Sequence, residues 1–127
     1  MRLATEATIL VVEDDPDVAE LLGEILGEHF RVEIARSATE AADTLARNSY
    51  DLLLLDMLLP GGGADAVMVL ADTASMTTVL MSGDLEGRSR AAQAGRPFVA
   101  KPFSVDDLLS VLDTALAGRN LPDASNG

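Results

Sequence analysis

The chain contains no cysteine and no tryptophan, and aromatic residues make up only 3% of its 127 positions. The missing cysteine excludes disulfide frameworks, Cys-ligated zinc and thiol catalysis, and it is compatible with a reducing compartment. The shortage of rings leaves an aliphatic core of Leu, Val and Ala. Basic residues are scarce as well: 9 Lys and Arg stand against 21 Asp and Glu, for a formal charge of −12. So acidic a surface repels phosphate backbones, which argues against direct nucleic-acid binding and in favour of a cation or of partners with basic patches. No apolar run approaches the length of a membrane span, and the N-terminus lacks a basic-then-apolar signal. No membrane association is therefore expected, and a cytoplasmic location is. What is present is 48% apolar residues, enough for one domain with a true core.

The densest apolar stretch is Leu52-Leu53-Leu54-Leu55, which runs straight into Asp56 and then into Pro60-Gly61-Gly62-Gly63. An unbroken run this short, closed by proline and glycines, suits a strand covered on both faces and ending in a loop. Similar strands are predicted at Thr8–Val12, Phe30–Ala35, Thr77–Met81 and Phe98–Ala100. Helical spacing separates them. Val18, Leu21, Leu22, Ile25 and Leu26 form one face behind Asp15-Pro16, a cap followed by proline at the first helical position. Ser37-Ala38-Thr39-Glu40 has capping-box form ahead of Ala41, Ala42 and Leu45. Val67, Leu70, Ala71 and Ala74 mark a third helix, and 86–94 a thinner fourth. Ser104 caps a fifth, whose face is Val105, Leu108, Leu109, Leu112 and Leu116. Residues 1–7 read as a leader, 8–117 as a single domain and 118–127 as a flexible tail. Five strands alternating with five helices predict an α/β fold, a (βα)5 open parallel sheet with helices on both faces.

Parallel strands bring their C-terminal ends to one rim. There the first strand delivers Glu13, Asp14 and Asp15, the third Asp56, the fourth Ser82 and the fifth Lys101. Converging carboxylates repel one another unless a cation joins them, and all-oxygen donors favour Mg²⁺ over zinc. A carboxylate nucleophile, a divalent ion, a lysine and a hydroxyl together meet the needs of phosphoryl transfer to Asp56. Plainer roles compete. Asp15 fits a helix cap better than a ligand. Ser82 alone reads as a turn residue, Phe98 as core, and His29 as a surface or capping residue.

Four motifs, Val12-Glu13-Asp14-Asp15, Asp56-Met57-Leu58-Leu59-Pro60-Gly61, Met81-Ser82-Gly83 and Lys101-Pro102-Phe103, each sit at a strand end and fall in one order. With them the chain resembles the bacterial response-regulator receiver domain of two-component phosphorelays, from about Thr8 to Ala117. The resemblance implies a flavodoxin-like topology, Asp56 as phosphoacceptor, and a Mg²⁺ site of Asp14, Asp56, the Leu58 backbone carbonyl and, through water, Glu13. It also implies that Ser82 and Lys101 contact the phosphoryl group, that Lys101–Pro102 is cis, and that Ser82 and Phe98 form a switch. The fourth helix, fifth strand and fifth helix would be the output face. By the same resemblance the donor is a histidine kinase or a histidine phosphotransfer protein. The module would be a signalling protein rather than an enzyme, monomeric or weakly dimeric, acting on a downstream protein with no output domain of its own.

Other readings weigh against particular residues. A haloacid-dehalogenase-like phosphatase carries a second acid two residues after its nucleophile, where this chain has Leu58. A flavodoxin-like electron carrier wants a hydroxyl- and glycine-rich phosphate loop where Glu13-Asp14-Asp15 stands. A degenerate scaffold would not need the full set of Asp14, Asp56, Ser82 and Lys101. Two positions that tune acyl-phosphate loss in the family hold Leu58 and Asp84, and Ser82 to Lys101 is a short span, so a short or poorly ordered fourth helix is expected.

Overall fold

A computed structural model describes residues 7–126, with 119–126 described by their backbone alone. The expected leader lies outside the described residues except for Ala7, which is buried. The elements are β1 (Thr8–Val12), α1 (Pro16–Gly27), β2 (Arg31–Ala35), α2 (Ala38–Arg47), β3 (Leu52–Asp56), α3 (Ala64–Thr73), β4 (Thr77–Ser82), α4 (Leu85–Gln93), β5 (Phe98–Ala100) and α5 (Val105–Asn126). The strands form one parallel sheet in the order β2-β1-β3-β4-β5.

The leucine run of β3 is explained by alternation in a two-faced sheet. Leu52 and Leu54 enter a cluster with Ile9, Val11, Leu22, Leu26, Leu108 and Leu112, beneath α1 and α5. Leu53 and Leu55 enter the opposite cluster with Leu10, Val12, Ala41, Val67, Ala71 and Ala91, beneath α2, α3 and α4. Every residue of β3 is buried. The edge strand β2 needs only one covered side, and its Arg31 and Glu33 are exposed.

The caps lie where the sequence places them. Asp15 accepts the N–H groups of Asp17 and Val18, and Pro16 opens α1. Ser37 Oγ accepts the Glu40 N–H at 3.0 Å, while the Glu40 carboxylate reaches back to the Arg36 N–H. Ser104 Oγ accepts the Asp107 N–H. Close packing of α2 on the start of α3 depends on Gly63: a Cβ there would lie 2.4 Å from the Ala38 Cβ.

Two details differ from expectation and one agrees with it. Leu21, Leu70 and Val105 are 41–48% exposed rather than in the core; Leu21 lies about 100° around the helix from Leu22, on the flank of the stripe, and Val105 stands at the first position of α5. α4 is short, as expected, and buries only Gly87 and Ala91. The backbone of α5 continues through Gly118 and Pro122 to Asn126 instead of ending at Gly118. Among the described residues no helix is long and apolar enough to cross a membrane.

Candidate functional site

The strand order reverses between β1 and β3, and in such sheets the crevice above the C-terminal strand ends receives ligands. Glu13 and Asp14 follow β1, and Asp56 closes β3. One carboxylate oxygen from each of the three lies within 4.8 Å of the others. Glu13 and Asp56 are buried, while Asp14 is half-buried.

Lys101, just past β5, is the cation of this rim. Its Nζ donates to Glu13 Oε1 at 2.6 Å and to Asp56 Oδ2 at 3.1 Å. Burial pushes the Glu13 carboxyl above the usual carboxylate range and nearby Asp56 adds to this, although the Lys101 ammonium and the Asp15 N–H pull the other way. Burial works to lower the pKa of Lys101, but its bonds to Glu13 and Asp56 outweigh that, and the ammonium is held more firmly than usual. The Lys101–Pro102 peptide is cis, as the resemblance implies.

Two further details sharpen the pocket. Asp56 Oδ1 accepts the N–H of Leu58 at 2.9 Å, which fixes the carboxylate plane and draws the Leu58 backbone to the site. The Leu58 side chain faces outward and is 60% exposed, so an apolar surface flanks the opening. Arg36, which the motif reading passed over, donates from its guanidinium to the Asp14 carbonyl at 3.2 Å. Its only sequence signal is its position in the β2–α2 turn.

Ser82 is buried at the end of β4 and paired in register with Ala100. Its hydroxyl donates to Asp84 Oδ1 at 2.9 Å rather than to a rim carboxylate. Phe98 is half-buried against the α4 side of the core, with the Arg88 guanidinium 5.8 Å from its ring centroid. Asp15 serves as the α1 cap. His29 lies at the end of α1, its ring 6.2 Å from that of Phe30 and remote in sequence from every rim residue.

A (βα)5 sheet carrying an aspartate, two further acids and a lysine on its C-terminal rim defines the class of phosphoacceptor signalling modules. The chain belongs to the response regulator receiver domain family, whose model matches residues 9–113. It is 39% identical over 121 residues to the response regulator protein PilR of Pseudomonas aeruginosa, covering 91% of this chain and 27% of that protein. It is also similar to a solved CheY-like receiver domain protein from Methanospirillum hungatei, at a TM-score of 0.81 and 26% identity over 92% of this chain and 98% of the other. The receiver domain of HemR from Leptospira biflexa superposes at a TM-score of 0.75 and 29% identity, over 88% and 95% of the two chains. The chain spans about a quarter to a half of the length of the curated relatives it matches.

Proposed function

We propose that Asp56 is the phosphoacceptor of this receiver domain, taking the phosphoryl group from the phosphohistidine of a histidine kinase or a histidine phosphotransfer protein. The P–N bond to the donor histidine breaks and a P–O bond to Asp56 forms. The observation that carries this is the charge imbalance of the rim: Glu13 and Asp56, both buried, share the single Lys101 ammonium, with Asp14 beside them.

That surplus of oxygen donors, without nitrogen or sulfur ligands, fits Mg²⁺. Glu13, Asp14, Asp56 and the Leu58 carbonyl would hold it, and when bound it supplies positive charge to the transferring phosphoryl oxygens. Lys101 supplies charge from the other side, since its ammonium already touches the Asp56 oxygen. The Leu58 N–H keeps the carboxylate aimed. Ser82 would then donate to a phosphoryl oxygen, and Phe98, half-buried two strand positions before Ala100, would turn inward and alter the surface formed by α4, β5 and α5. A downstream protein reading that surface completes the signal. A cytoplasmic, monomeric or weakly dimeric module fits this role.

The test is intact mass after incubation with Mg²⁺ and acetyl phosphate. A single phosphate adduct on the wild type, absent from Asp56→Asn and absent without Mg²⁺, is the expected result. An adduct that persists in Asp56→Asn would place the acceptor elsewhere.

A further inference from the structure

The Ser82 hydroxyl has one proton to donate, and here that proton is taken. It goes to Asp84 Oδ1 at 2.9 Å, and the same oxygen accepts the N–H of Gly87 at 2.7 Å. Asp84 is the N-cap of α4, and its own N–H points back to Ser82 Oγ at 3.2 Å. One carboxylate oxygen thus ties the last residue of β4 to the first turn of α4. These bonds hold the Asp84 carboxyl below the usual carboxylate range, the Gly87 N–H first and the Ser82 hydroxyl second.

The packing adds an independent constraint. A Cβ on Gly87 would lie 2.4 Å from Ser82 Oγ, 2.6 Å from Ser82 Cβ and 2.9 Å from Asp84 Oδ1. Gly87 has an ordinary helical φ, since it is not among the positive-φ glycines. Space for the Ser82 side chain in this position, rather than backbone freedom, therefore explains a glycine early in the helix, where it costs stability. The rest of α4 is lightly anchored: only Gly87 and Ala91 are buried, and Leu85 is 79% exposed. Besides this cap, Arg88 lies over the Phe98 ring and Arg90 pairs with Asp65 at 2.8 Å.

We propose that Asp84 is a positioning residue that competes with the phosphorylated site for the Ser82 hydroxyl, so that phosphorylation is read at the N-cap of α4. The inference rests on Ser82 being the hydroxyl that meets the phosphoryl group. When Ser82 turns to that group, Asp84 loses one of its two donors, and the tether between the end of β4 and the carboxylate that caps Gly87 is released.

Beryllofluoride with Mg²⁺, a stable mimic of the phosphoryl group, provides the test. Asn at position 84 keeps an oxygen for the Gly87 N–H but is a weaker, uncharged acceptor for Ser82. Asp84→Asn should therefore leave the unfolding temperature near wild type and lower half-saturation by beryllofluoride about fivefold, because bonds to charged acceptors are roughly twice as strong as neutral ones. Half-saturation equal to or above wild type overturns the competition, since a purely structural cap would not move it. Wild type that fails to bind beryllofluoride at all would instead remove the phosphoacceptor reading, and the competition with it. The second readout is the Gly87 amide resonance. It should shift on beryllofluoride binding in wild type and stay in place in Ser82→Ala, and an equal shift in both would sever α4 from Ser82.

Discussion

Two buried carboxylates bracket the leucine run of β3, Asp51 just before it and Asp56 at its end, and their described surroundings differ. Asp51 lies at the N-terminal rim. Its Oδ2 accepts both the backbone N–H and the hydroxyl of Thr8, at 2.8 and 3.1 Å, and its own N–H bonds to Thr8 in return. Asp56, five residues on, sits among two other acids and shares its one ammonium with Glu13. Among the described residues, the first carboxylate stitches β1 to β3 through the donors of Thr8. The second stands in a cluster with more negative than positive charge. Burial is nearly equal, at 6% and 4% exposure, so burial does not distinguish the two; the acids gathered beside Asp56 do.

The comparison breaks most sharply on phosphoryl uptake. Asp56→Asn should lose the phosphate adduct completely while keeping the fold, because it relieves repulsion on the rim and removes no core packing. Asp51→Ala should keep the adduct. The next largest effect concerns the cation. At a concentration one hundred times its Kd, Mg²⁺ should stabilise the wild type by about 2.7 kcal/mol, read as a rise in unfolding temperature. Asp14→Asn should lose most of that gain and Asp51→Ala none of it. Stability in the absence of metal should run the other way. Asp51→Ala strips the acceptor from two Thr8 donors and should cost about 2 kcal/mol in chemical denaturation, more than Asp56→Asn does.

The same contrast shows what the linear chain discloses. Runs such as Leu52 to Asp56, the capping residues Asp15, Ser37 and Ser104, and the strand-end motifs carry short-range signals, and the fold follows them closely. The gathering of Glu13, Asp14, Asp56 and Lys101 was legible because parallel strands leave little choice about where their ends meet. The partner of Ser82 was not. Asp84 lies only two residues away, but whether Ser82 faces it or the rim depends on a rotamer set by the Gly87 backbone. Nor was the role of Asp51, whose partner Thr8 is 43 residues distant. Leu21 fits a helical apolar face by spacing yet stands exposed, because spacing gives the direction of a face but not its width.

A further effect, confined to alkaline pH, concerns the neighbour of Asp51. Tyr50 is buried, and its hydroxyl donates to the Glu33 carboxylate on β2. Burial, with that negative acceptor second, pushes its pKa from 10.0 up to about 12. A raised folded pKa favours the neutral phenol in the native state. Its contribution to stability is thus complete below pH 10 and is lost as the pH climbs from there toward 12. The chain has one tyrosine and no tryptophan, so ultraviolet absorbance of the phenolate follows this group alone. The native titration should have its midpoint near 12 and the denatured chain near 10, and Glu33→Gln should bring the native value part of the way down. Tyr50→Phe should flatten the loss of stability across the same interval. A native midpoint near 10 would mean that the Tyr50–Glu33 bond is not maintained in solution. The N-terminal rim would then be held by the Asp51–Thr8 pair with less help than its geometry implies, and the contrast between the two ends of β3 would narrow.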